Sequence, residues 1–111
     1  MYIKFDYIDS KLIVYLIGEL DHHSAEEVRV KVDDRIDRDD VKKVILDFSG
    51  VTFMDSSGIG VVIGRYKKIS VRNGQIAISA INKNIKRVFD LSGISKIIKT
   101  YDSIESAVES I

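Results

Sequence analysis

Two short clusters in this 111-residue chain combine side chains capable of chemistry. Asp21-His22-His23 places a carboxylate beside two imidazoles, the raw material of a metal site or a proton relay. Asp55-Ser56-Ser57-Gly58 places two hydroxyls behind a carboxylate, followed by Gly60 and Gly64. Neither cluster completes a catalytic pattern. Adjacent histidines in a strand or turn point apart, and no second group of ligands lies elsewhere, so a metal at Asp21, His22 and His23 is not expected. A phosphoesterase superfamily shares the Asp-His-His triplet, but it needs further aspartate motifs on a much longer chain. The spacing Gly58-x-Gly60-x-x-x-Gly64 differs from the dinucleotide fingerprint, and no G-x-x-x-x-G-K-[ST] loop is present. Asp-Ser-Ser-Gly is not the nucleophile elbow of a hydrolase, whose sheet requires more chain than this. Nothing in the sequence positions a Ser–His–Asp arrangement.

The elements that must hold these clusters follow from periodicity and capping signals. Residues 2–8 alternate, with Ile3, Phe5 and Tyr7 against Lys4 and Asp6, as a half-buried strand does. Asp9-Ser10 is a turn pair leading to a second strand over 11–17, so the chain opens with a hairpin. Ser24-Ala25-Glu26-Glu27 has the form of a capping box. Behind it Ala25, Val28, Val32 and Ile36 share a helical face to about residue 38. Residues 43–48 are almost continuously apolar, the pattern of a strand covered on both sides. A helix is expected from about Ser57 to Ser70, then a strand over 75–80. Asn82 caps a short helix carrying Ile85, Val88 and Phe89, with Gly93 just past its end. A last short strand over 97–101 and a capping box at Asp102-Ser103-Ile104-Glu105 complete the series. Two strands followed by alternating helices and strands imply an α/β domain with a mixed sheet, spanning 1–111 as one unit.

The helix behind Asp55 has an unusual surface. At 100° per residue Ile59, Val62, Ile63, Tyr66 and Ile69 form one face, which is expected to be the core face. Ser57, Gly60, Val61, Gly64 and Lys68 fall opposite, a flat stripe nearly free of side chains. Each glycine inside a helix costs about 0.8–1 kcal/mol relative to alanine. Close packing against the sheet is one reason to accept that cost. Docking of another protein's backbone is the other, and Gly60 and Gly64 point away from the apolar stripe. A serine at the positive end of the helix suits phosphorylation, because added negative charge is tolerated there.

Composition narrows the function classes. Seventeen basic and seventeen acidic residues leave no net charge, which argues against a nucleic-acid binder. The absence of cysteine removes disulfides, thiol nucleophiles and thiolate metal sites. No apolar run approaches the ~18 residues of a membrane span, and the N-terminus has no secretory pattern. An intracellular, cytoplasmic protein with neither membrane nor nucleic acid as partner is expected.

Three segments in order resemble the anti-sigma factor antagonists of the STAS domain family, and most nearly those of the sporulation sigma-F switch. They are Gly18-Glu19-Leu20-Asp21-His22-His23-Ser24-Ala25-Glu26, Phe53 through Lys67, and Lys86 through Ile94. The resemblance implies the STAS fold: four to five strands in a mixed sheet, with about four helices mainly on one face. It implies an anti-anti-sigma factor without catalytic activity or cofactor. In that family the unphosphorylated antagonist binds an anti-sigma factor that is also a serine kinase, and the sigma factor is released. The kinase phosphorylates the serine directly after the aspartate, here Ser56, and a PP2C-type phosphatase reverses the modification. Asp55 and Ser57 then flank the acceptor, and Gly58, Ile59, Gly60, Val61 and Gly64 supply the kinase-facing helix. Glu19, Asp21, His22 and His23 form the neighbouring loop of the same surface. A ligand- or nucleotide-sensing STAS module, or a scaffold of a stress-signalling complex, is the alternative. An acceptor serine after Asp55 favours the phosphorylated switch.

Overall fold

Alternating apolar residues build a five-stranded sheet in the computed structural model, which describes every residue from Met1 to Ile111. β1 (Tyr2–Ile8) and β2 (Lys11–Leu20) form the expected hairpin, paired antiparallel. Asp9 and Ser10 make its two-residue turn, both at positive φ, the geometry that matches the twist of the flanking strands. From there each strand is added in parallel and in sequence order: β3 (Lys43–Met54), β4 (Gln75–Ser79) and β5 (Thr100–Tyr101). The crossovers are α1 (Ala25–Arg38), α2 (Ser56–Val71) and α3 (Lys83–Ser92), and α4 (Ile104–Ser110) closes the chain.

Side-chain alternation divides the core in two. Leu12, Val14 and Leu16 of β2 and Val44, Leu46 and Phe48 of β3 face α1, α2 and α3 in one large cluster. Phe48 and Phe89 meet there edge to face, ring centroids 5.5 Å apart. Ile13 and Ile45 point the other way and are covered by Ala107 and Val108 of α4. Three helices therefore share one face and a single short helix covers the other. This is the mixed α/β architecture expected from the order of elements.

The departures are local and have physical causes. β3 runs to Met54, well past Phe48, and so delivers the chain directly to Asp55. The capping box at Ser24 does not form: Ser24 is nearly helical in conformation and makes no side-chain cap. Asp21 does that work, its Oδ1 accepting from the amides of His23 (3.0 Å) and Ser24 (3.1 Å). The Ser24 hydroxyl turns back to donate to the Glu19 carbonyl at 2.7 Å. At the C-terminal helix the cap is Ser103, accepting from the Ser106 amide, rather than Asp102. The last strand shrinks to Thr100–Tyr101 because the amides of Ile97 and Ile98 turn back to the Ile94 carbonyl, closing the 3-10 turn at Ile94–Lys96. Asn82 and Gly93 behave as expected: Asn82 accepts from the Ile85 amide at 2.9 Å, and Gly93 adopts φ +85.

Candidate functional site

Parallel pairing brings the two clusters to one pole. Glu19 is in register with Phe53 and Leu20 with Met54, so the loops leaving β2 and β3 start side by side. Gly18, at φ +116, lies at a register shift that steers the end of β2, a conformation costly for any side chain. Asp55 then joins the two loops. Its Oδ1 accepts from the amides of Ser57 (2.8 Å) and Gly58 (3.4 Å), capping α2. Its Oδ2 accepts from the His22 amide at 3.2 Å, tying the Asp21–His23 turn to the head of the helix.

Ser56 is the first residue of α2 and is exposed, whereas Ser57 is half-buried. Since Asp55 holds the Ser57 and Gly58 amides, a group added to Ser56 finds no vacant cradle of those two donors and remains on the surface. Glu19, His22 and His23 are exposed around it, with the two imidazole rings edge to face at 5.7 Å. Asp21 is half-buried. Desolvation raises its carboxyl pKa, but the amide hydrogen bonds from Ser24 and His23 outweigh that and hold it below its ordinary value. Asp21 and His23 line an open cleft of about 320 Å³ together with Met1, Glu19, Ser24 and Glu27. No three His, Cys, Asp or Glu side chains converge in a metal-binding group.

The helix face differs from its periodicity in a specific way. Gly60 is exposed and Gly64 half-exposed, and a Cβ built on either meets nothing within 4 Å. Close internal packing therefore does not account for these two glycines. It does account for Gly58, where a Cβ would press on Met54 and lie 2.6 Å from the Leu20 carbonyl oxygen. Gly58 is thus a buried packing residue, not part of an open surface. Val61 is also corrected: it is buried, along with Val62, Arg65 and Ile69, while Ile59, Ile63 and Tyr66 are only partly covered. The buried arc is displaced because α2 packs against α1 as well as the sheet, and Arg65 Nε lies 2.8 Å from Asp33 Oδ1 across that contact. Sequence reasoning missed Arg65 and Asp33. The spacing 58, 61, 62, 65, 69 carries the signal, but a charged arginine within it does not read as part of an apolar face.

The STAS domain family matches residues 2–107. An anti-sigma F factor antagonist of Paenibacillus polymyxa is 42% identical over 97 residues, covering 87% of this chain and 83% of the relative. An anti-sigma-B factor antagonist of Listeria monocytogenes is 30% identical over 97 residues, covering 85% and 78%. Among solved structures, the Bacillus cell fate determinant SpoIIAA superposes with TM-score 0.77 in its phosphorylated form, at 28% identity over 98% of both chains. The unphosphorylated SpoIIAA structure gives TM-score 0.77 at 26% identity, covering 98% of this chain and 96% of that one.

Proposed function

This chain belongs to the STAS domain family and is an anti-sigma factor antagonist, and from that premise we propose a phosphorylation-controlled partner switch centred on Ser56. In the unphosphorylated form the pole carrying Glu19, Asp21, His22, His23, Asp55 and Ser57 docks an anti-sigma factor with serine kinase activity. Ile59, Gly60 and Gly64 continue that surface along α2, and Val61 and Gly58 support it from beneath. Docking frees the sigma factor; by likeness to the Paenibacillus antagonist, that factor is sigma-F of sporulation. The kinase transfers a phosphoryl group to the Ser56 hydroxyl, and a PP2C-type phosphatase removes it. The chemistry thus resides in the partners, and this chain supplies an acceptor in the cytoplasm. No helix is long and apolar enough to cross a membrane.

The observation that carries this reading is the exposed Ser56 at the head of α2, beside an open Gly60 and Gly64. Glu19, Asp21, Glu27 and Asp55 make the loop side of this pole acidic, so the kinase surface facing those groups is basic. Phosphorylation adds about −1.5 to −2 charge at neutral pH, next to Asp55. Repulsion and bulk at a formerly snug contact lower affinity by a hundredfold or more, equivalent to about 2.7 kcal/mol. Incubation with the cognate kinase and ATP, followed by fragmentation mass spectrometry, tests the assignment. One phosphate on Ser56 is expected, and none on the Ser56→Ala variant. Undiminished incorporation into Ser56→Ala overturns it. In binding assays Ser56→Ala retains kinase affinity and Ser56→Asp loses it; equal affinities overturn the charge-exclusion mechanism.

A further inference from the structure

Arg65 is the one buried basic residue whose hydrogen-bonding capacity is largely unused. Its side chain is only 7% exposed, yet neither Nε nor Nη1 has a hydrogen-bond acceptor. Asp33 is near Nε at 2.8 Å but out of line for a hydrogen bond, and its Oδ1 is likewise unpaired. Burial pushes the guanidinium pKa below its ordinary value, with Asp33 opposing and Arg29 adding to the fall. Asp33 compensates the charge at that distance, but buried N–H groups without an aligned acceptor remain costly unless some state of the protein supplies one.

Nε and Nη1 are covered in this conformation, but the Arg65 side chain borders open space where an acceptor can sit. Arg65 lines a cleft of about 210 Å³ between α1 and α2, together with Ala25, Glu26, Arg29, Ser57, Gly60 and Val61. Gly60 keeps the cleft open to a close approach, since no atom occupies the space of its absent Cβ. The ionisable groups at or behind the cleft are Arg29 and Arg65 against Glu26 and Asp33. Arg29 is ion-paired with Glu26, both well exposed. With these two carboxylates present, a singly charged anion is favoured over a dianion.

We propose that the α1–α2 cleft is a seat for a carboxylate side chain of the protein partner, with Arg65 as its principal donor. The identity of that partner rests on the function proposed above; the seat itself does not. A carboxylate entering over Gly60 accepts from the Arg65 guanidinium, whose forked donors match a carboxylate's two oxygens. Asp33 competes for the same guanidinium, so it sets the affinity of the seat.

A titration of the ¹⁵N-labelled protein with sodium acetate, at ionic strength held constant with chloride, tests the seat directly. Saturable shifts of the Gly60 and Val61 amides and the Arg65 side chain are expected. Acetate binding should weaken about fivefold or more in Arg65→Lys and tighten about threefold or more in Asp33→Asn. An Arg65 that merely ties the helices together predicts the opposite or no response to Asp33→Asn. Should Arg65→Lys fail to fold, Asp33→Asn decides alone. Shifts that do not saturate, or that chloride reproduces, overturn the proposal. Inorganic phosphate binding the same residues more tightly than acetate overturns the carboxylate assignment. With the cognate kinase as titrant, the two substitutions should shift Kd in the same opposite directions. A kinase that binds wild type but is indifferent to both substitutions overturns the partner contact. A kinase that does not bind wild type refutes the Ser56 reading instead, and the acetate result then stands or falls independently.

Discussion

At the residue scale, three glycines on one helix have different physical roles. Gly58 is required by packing, because an added Cβ would collide with Leu20 and Met54. Gly60 and Gly64 face open space, so the folded domain itself gains nothing from their lack of a side chain. Their entropic cost is then the clearest sign that the surface serves a partner. Gly60→Ala and Gly64→Ala should each stabilise the isolated domain by about 0.5–1 kcal/mol, raising Tm by about 2–6 °C, while weakening kinase binding. Gly58→Ala should instead lower Tm, since the backbone oxygen it meets cannot swing aside. Thermal denaturation of the three variants separates the roles; a destabilised Gly60→Ala would refute the open-surface reading.

At the element scale, Asp55 links two loops and one helix. Its carboxylate caps α2 with one oxygen and holds the His22 amide with the other. Asp55→Ala therefore loses more than a cap. A cost at the upper end of about 0.5–2 kcal/mol is expected by urea denaturation. The amide resonances of His22 and His23 should move with those of Ser57 and Gly58, and an unmoved His22 amide would break the link. The same scale explains what the sequence left illegible. Ser24 looked like a cap because Ser-x-x-Glu is a good local signal. The Asp21 carboxylate reaches the His23 and Ser24 amides first and frees the Ser24 hydroxyl for the Glu19 carbonyl. Val61 looked exposed because a single helical face was assumed for α2. Contact with both the sheet and α1 widens the buried arc to include Val61 and Arg65.

At the scale of the whole molecule, the sheet is a rigid mount for a surface switch. Ser56 is exposed at the first position of α2, outside the buried core. Quantitative phosphorylation should leave the fold intact. Amide shift changes should concentrate within residues 19–24 and 53–61; loss of α2 helicity or displacement of α1 would refute local exclusion. The SpoIIAA fold likewise superposes on this chain in either state of modification. Taken alone, the sequence determined the α/β class, the opening hairpin, the Asn82 and Gly93 helix boundaries and the two clusters that the fold brings to one pole. Those features depend on local periodicity and on side chains within three or four residues, which a linear reading captures. Tertiary structure alone decided that Asp55 reaches His22, that Gly58 is packed while Gly60 is open, and that Arg65 is buried beside Asp33. Each of those depends on residues about 30 or more positions apart, brought together by parallel strand pairing and the packing of α1 on α2, for which local sequence carries no record.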